Sequence, residues 1–350
     1  MQDNLGAPPD PPPGVGPVRG PRTLRWIIFG GVILILIASS NWIPLPIFWL
    51  NKPGPVRDVE QLVEIDETQT YSSEGRLLLT TVNVDVDVTL ADWAVGVFDP
   101  DTAVVVKEDV TQGQSLEEIT RQAELDMEAS KQHAIEVALS ELGIAEPEGD
   151  GARIISTLRE SPADSKIQPD DVIVAINGQK VSTTCEVGRL IDETGIGEEL
   201  EITVERNGEK RVIELTTGEN PQVPETPYIG VSMEEINYKF DPGFDVEIKT
   251  GEIAGPSAGL MFTLALYDKL TPDDLTDGRD IAGTGTIACD GEVGPIGGIE
   301  QKIAAAEQHE AEVFLAPAAN FDAAEGAADE IEVVSISRFD DAVEYLEGLE

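Results

Sequence analysis

The chain has 350 residues, 67 of them acidic against 23 basic, for a formal net charge of −44. A surface so acidic repels phosphates and anionic headgroups, which excludes nucleic acid as a partner and argues against flat docking on a charged bilayer. It also repels itself, and salt screens that repulsion, so stability is expected to rise with ionic strength, as in a high-salt habitat. The charge is uneven, because the first 57 residues hold only two acids, Asp3 and Asp10, with five bases, Arg19, Arg22, Arg25, Lys52 and Arg57. Cys185 and Cys289 stand far apart and read as two isolated small hydrophobes rather than a disulfide framework or a zinc site. His133 and His309 are too few for a His-rich metal site and are expected on solvated helix faces. No metal or other cofactor is implied, and with no GxxxxGK[ST] segment nothing points to ATP.

Residues 1–25 read as a disordered Pro/Gly-rich tail, on the run GAPPDPPPGVGPVRGPR. Residues 26–50, WIIFGGVILILIASSNWIPLPIFWL, carry no charge and are long enough for a helix to cross a bilayer. The competing reading is a cleaved signal peptide, but the small-residue cleavage pattern after Ala38 is poor and the apolar run resumes through Leu50. Arg19, Arg22 and Arg25 on one flank weakly favour a cytoplasmic N-terminus, with residues 51–350 outside the cytoplasm.

Residues 51–142 are expected to form a small mixed α/β segment or stalk. The alternation in LLLTTVNVDVDV predicts a strand. The run from Ser115 predicts a long helix, with a Ser115/Glu118 capping box, a stripe beginning Leu116, Ile119, Ala123, Met127, and a stop at Gly143. No site chemistry is visible in this segment.

Residues 143–222 predict a strand at 152–158, a turn at Ser161-Pro162-Ala163, a strand at 172–176, a helix near 186–193, and two strands joined by Asn207-Gly208. This order, with SPA and I-x-x-D-D-V-I-x-x-I-N-G, closely resembles a PDZ domain of the bacterial protease type, a partly open β-barrel with helices. The resemblance implies capture of an extended chain end by strand addition, its carboxylate held by backbone amides of a glycine loop. Leu142, Gly143 and Ile144 are the candidates for that loop, and Gly143 equally serves as the helix stop.

Residues 228–350 alternate strands and helices, beginning with YIGVSM and VEIKT, and predict an α/β domain with a mixed sheet. Within it, GPSAG places Ser257 in a turn before an apolar helix. Gly255 permits the turn, Pro256 suits a first helical turn, and a serine there is a common cap. The same five residues satisfy G-x-S-x-G, which calls for a downstream histidine. The one available, His309, shares a helical face with Lys302 two turns away, so the two are unlikely partners for one serine. Lys302 offers better chemistry: Ile296, Ile299, Ile303 and the alanines after it are apolar or small neighbours in the sequence, and a lysine desolvated among them becomes a neutral base able to activate a serine, while the alternative is a lysine on the solvated side of an amphipathic helix.

In order, GPSAGLMFTLAL, AGTGTI, DGEVGPIGGIEQKIAAA and FLAP resemble the proteolytic domain of Lon proteases. The resemblance implies that Ser257 is the nucleophile, Lys302 the dyad base and Thr284 the hydroxyl that orients the lysine, with Gly255 and Pro256 shaping the turn. The pattern departs from that family at Ala254, where an acid is expected. Anchor, PDZ and Lon-like segments together resemble the membrane-anchored, PDZ-containing Lon-like proteases of bacteria, the YlbL type. The expected protein is an α+β multidomain serine endopeptidase, membrane-bound by one N-terminal helix and homo-oligomeric by resemblance. It would cut extracytoplasmic polypeptides without ATP. A tethered PDZ adaptor with an inactive protease domain and an esterase using His309 are the alternatives.

Overall fold

The computed structural model describes residues 39–221, 226–251 and 253–349. The tail and residues 26–38 of the expected anchor lie outside them. Among the described residues no helix is long and apolar enough to cross a membrane. The last residues of the uncharged run do not continue a span: Phe48–Leu50 open strand β1 (Phe48–Asp58), where Trp49 and Leu50 are buried. Pairing with the strand Ala103–Val106, joined from Leu50 onward by the strand Arg76–Asp85, satisfies this backbone, and Trp49 and Leu50 enter the protein core instead of lipid.

The first segment continues with β2 (Val63–Ile65), β3 (Arg76–Asp85), helix α1 (Leu90–Phe98), β4 (Ala103–Val106), the short α2 (Lys107–Thr111) and the 26-residue α3 (Leu116–Glu141). The predicted Ser115/Glu118 capping box starts α3. There follow β5 (Ala152–Thr157), β6 (Val172–Ile176), β7 (Gln179–Lys180), α4 (Thr184–Thr194), β8 (Glu199–Arg206), β9 (Glu209–Thr216), β10 (Gly218–Glu219), β11 (Pro227–Tyr228) and β12 (Val231–Glu235). The last segment holds β13 (Val246–Ile248), a 3₁₀ turn at Pro256–Ala258, α5 (Gly259–Leu270), β14 (Asp280–Gly283), β15 (Thr286–Ile287), β16 (Val293–Gly294), α6 (Ile299–Gln308), β17 (Val313–Pro317), α7 (Phe321–Ala327), β18 (Glu332–Ile336) and α8 (Phe339–Glu347).

Two sheets organise these elements. The larger runs β18-β17-β14-β3-β1-β4, parallel from β18 to β3 and antiparallel from β3 to β4. The first segment is therefore not a separate stalk, since it supplies half of this sheet. The reason is in β3: Leu77, Leu78, Leu79 and Thr80 are all buried, a continuous run that must be covered on both faces. Leu77 and Leu79 pack with Met127 and Ala138 of α3, Phe262 of α5 and Phe339 of α8. On the opposite face Leu78 packs with Ile299 and Ile303 of α6 and Phe314.

The second sheet runs β12-β5-β6-β8-β9, with β7 on β6. Asn207 and Gly208, both at positive φ, make the expected tight hairpin between β8 and β9. The strand at Val231–Glu235, expected to open the C-terminal domain, instead pairs antiparallel with β5 and completes this second sheet. Its alternating pattern suits either sheet, and only the return of the chain past β5 decides. The second unit thus sits as an insertion between α3 and β13.

The cysteines are also corrected. Cys185 in the first turn of α4 and Cys289 between β15 and β16 form a disulfide across 104 residues, with Cα atoms 6.0 Å apart. Spacing alone could not bring them together, because they lie in the two different units. His133 is half-buried, its Nδ1 lying 3.2 Å from the Ile287 carbonyl, because α3 presses that face against β15. His309 is exposed, as expected, at the end of α6.

Candidate active site

Helix α5 lies on one face of the larger sheet and α6 on the other. They meet beyond the carboxyl end of β14, the usual place for a site in an open α/β sheet. Gly255, at φ +93°, turns the chain into the 3₁₀ step that carries Ser257. Ser257 is half-buried and opens into a cleft of about 670 Å³, lined among others by Thr80, Val82, Thr250, Ala254 and Lys302. A larger hollow of about 920 Å³ between α3 and the Tyr238–Ile248 stretch contains neither Ser257 nor Lys302.

Lys302 Nζ lies 2.9 Å from Ser257 Oγ and donates to Thr284 Oγ1 at 2.7 Å. The Thr284 hydroxyl in turn donates to the Ser257 carbonyl at 2.9 Å, and the same carbonyl accepts from the Gly285 N–H at 2.8 Å. Thr284 is fully buried and Lys302 is 3 % exposed. Desolvation pushes the Lys302 amine down to about 7, so a large fraction is neutral near neutral pH. No carboxylate forms a salt bridge with Lys302 among the described residues. With its protons directed at Thr284, a neutral amine has a lone pair for the Ser257 hydroxyl. The structure brings together Ser257, Lys302, Thr284, Gly255 and Pro256. Ala254, where the Lon pattern has an acid, is exposed at the rim of the cleft.

His309 is not part of this group. It follows α6 two turns beyond Lys302, with Nδ1 2.9 Å from the Ala305 carbonyl. Among the described residues no group of three or more His, Cys, Asp or Glu could hold a metal ion.

The Leu142–Gly143–Ile144 loop is corrected. The Gly143 amide donates to Ser140 O at 2.8 Å and the Ile144 amide to Leu139 O at 2.9 Å, closing α3 in a C-terminal cap. Amides spent on a helix end cannot hold a carboxylate. The segment Tyr228–Val231, which leads from β11 into the edge strand β12 and packs beside α4, is bonded differently. There the carbonyls of Ile229 and Gly230 accept from Ala163 and Leu158, at 2.9 and 2.8 Å. Planar trans peptides then turn the N–H groups of Gly230 and Val231 the other way.

Comparison with known proteins finds two domain families along the chain. A PDZ domain model matches residues 127–217, and a model of the Lon protease (S16) C-terminal proteolytic domain matches residues 235–346. The chain therefore carries a PDZ domain and a Lon-type proteolytic domain. It is similar to a Lon protease of Phenylobacterium zucineum, 39% identical over 94 residues, which are 26% of this chain and 12% of that protein. It is also similar to the "Pro-apoptotic serine protease NMA111" of Candida glabrata, 29% identical over 120 residues, 33% of this chain and 12% of the relative. The chain thus spans about an eighth of the length of these relatives. Among solved structures, the PDZ domain of an SdrC-like protein from Listeria monocytogenes matches 24% of this chain and 87% of its own, at 20% identity and a TM-score of 0.23.

Proposed function

We propose that the protein is a membrane-anchored, ATP-independent serine endopeptidase that cuts polypeptides captured by its PDZ domain. The observation that carries this reading is the buried Lys302 amine, 2.9 Å from Ser257 Oγ and held by Thr284. Neutral Lys302 takes the Ser257 proton as the oxygen attacks the scissile carbonyl. The tetrahedral oxyanion forms against the Ser257 N–H, which lies in the 3₁₀ turn ahead of α5 and has no backbone acceptor among the described residues. The lysinium then protonates the leaving amine, and water repeats the sequence on the acyl-enzyme. None of these steps needs a nucleotide or a metal.

The cleft suits an extended chain. Strand β14 pairs with β3 only as far as Leu79, so Thr80 to Asn83 reach into the cleft with that edge uncovered by β14. A substrate can add there as a strand. The membrane anchor rests on the uncharged run at residues 26–38 and on Trp42 and Ile47, exposed just after it. An extracytoplasmic catalytic domain is supported by the disulfide, which persists in oxidising compartments. We extend the reading to a homo-oligomer, on resemblance to Lon-like domains.

The test is covalent labelling. A preparation that degrades casein without nucleotide should lose activity to a peptidyl boronate or aldehyde, with the adduct on Ser257 and none in Ser257→Ala. Inactivation that leaves Ser257 unmodified sinks the assignment.

A further inference from the structure

Behind the nucleophile turn runs α3, whose inward stripe includes Ala123, Met127, Ser130, Ala134 and Val137. Ser130 is the polar member of that stripe, and α3's other buried polar residue, Glu136, is bonded by Gln132 and Tyr238. Ser130 is 3 % exposed, and a hydroxyl buried there costs free energy unless it is bonded. A serine inside a helix commonly bonds a carbonyl of its own preceding turn. Ser130 donates instead to the Pro256 carbonyl, 3.0 Å away and 126 residues along the chain. Two turns earlier, the Ala123 carbonyl accepts the Gly255 N–H at 3.1 Å. The approach is close: a Cβ at Gly259 would stand 2.7 Å from Ser130 Oγ and 2.6 Å from Ile287 Cγ2.

In a planar trans peptide the carbonyl and the following N–H point in opposite directions. With the Pro256 carbonyl drawn toward α3, the Ser257 N–H faces away from α3. That helix contributes nothing to the cleft lining, so facing away from it is facing the reaction. The same geometry at Gly255 turns the Ala254 carbonyl outward, at the rim that Ala254 lines.

We propose that Ser130 is a positioning residue: its hydroxyl fixes the Pro256–Ser257 peptide plane so that the Ser257 N–H is aimed at the oxyanion of the tetrahedral intermediate. The inference rests on the serine peptidase reading above. It concerns the transition state alone, because the oxyanion exists only there. Ser130 touches neither Ser257 Oγ nor Lys302. Removing its hydroxyl leaves the Pro256 carbonyl still accepting from the Gly259 N–H, so Ser130→Ala should fold.

The experiment uses the full-length chain and a fluorogenic peptide taken from a cleavage site mapped in casein. Ser130→Ala should lower kcat by about 10- to 100-fold, in line with the cost of misplacing a catalytic group by about an ångström, and leave KM unchanged. Affinity for a peptidyl boronate, whose adduct places an oxygen in the oxyanion position, should fall by the same factor. The acid limb of the pH–rate profile should stay where it is, since Lys302 keeps its surroundings. An unchanged kcat, a rise in KM that accounts for the loss, a displaced acid limb or a failure to fold would each overturn the proposal. A wild-type chain with no peptidase activity, or an active Ser257→Ala, would instead sink the serine peptidase reading itself.

Discussion

The PDZ unit and the proteolytic unit are built on opposite plans. From β5 to β12 the PDZ sheet is made from one continuous stretch, its neighbouring strands β8 and β9 joined by a two-residue turn. The proteolytic unit is split, with β1 to α3 before that stretch and β13 to α8 after it. Both chain connections of the PDZ unit therefore run into elements of the proteolytic unit. One is α3, which carries Ser130, and the other leads through β13 to the cleft residues just before Ser257. The disulfide is a third connection, from the first turn of α4 to the β15–β16 hairpin that follows Thr284. The inserted unit is fastened at three points around Ser257.

The sharpest way to separate the units is to disable chemistry and leave binding intact. Lys302→Arg keeps a cation in place but cannot be deprotonated, so kcat/KM should fall by about 10²–10⁴-fold or more while affinity for a PDZ ligand peptide is unchanged. In the wild type kcat/KM should rise with pH through about 7 and then level, as the Lys302 amine loses its proton. Stability carries the same signature. The folded amine titrates near 7 and the unfolded one near 10.4, so between these values the unfolded chain binds more protons and folding gains stability as pH rises. Lys302→Met should remove that slope, which denaturant titrations at pH 6.5 and 9 would show.

The same contrast explains what could be read from the sequence. The PDZ strands and turns were legible because their signals are local, from Asn177-Gly178 to the capped helix before Thr194. GPSAG and the apolar setting of Lys302 were legible because each is a short pattern. The assembly of the larger sheet was not. Nothing in LLLTTVNVDVDV tells that it will pair with Asp280–Gly283, some 200 residues on. Cys185 and Cys289 were misread for the same reason. Ser130 had a local signal, a polar residue at an apolar position of the stripe, but its meaning required Pro256 to arrive from far along the chain.

The disulfide tests how far the three fastenings act together. Across the seam Asp192 of α4 is pushed up to about 6, by desolvation first and then by Glu292 and Asp290. Like charges thus face one another beside the covalent link. Closing a loop of 104 residues constrains the unfolded chain, so reduction by a dithiol or Cys185→Ser with Cys289→Ser should cost about 2–4 kcal/mol of stability. Salt should recover part of the loss by screening the seam. Hydrogen exchange should show the β15–β16 hairpin loosened while β5 to β9 stay protected. Equal loosening of both would mean that the PDZ unit does not stand on its own.

The smallest effects discriminate between two glycines. Gly143 has φ +62° and open space around it, so Gly143→Ala should cost about 1 kcal/mol through backbone strain at the end of α3. It should leave peptide affinity untouched, because the amides there already serve the helix. At Gly230, φ is +76° and an added Cβ would collide with the Ser161 side chain, displacing the loop ahead of β12. Gly230→Ala should therefore weaken binding of a peptide with a free C-terminal carboxylate by about 10-fold, the affinity equivalent of roughly 1.4 kcal/mol. Cleavage of a short peptide that bypasses the PDZ unit should hardly change. Calorimetric titration of both variants reads the difference directly, and loss of binding in Gly143→Ala alone would return the carboxylate site to the helix end.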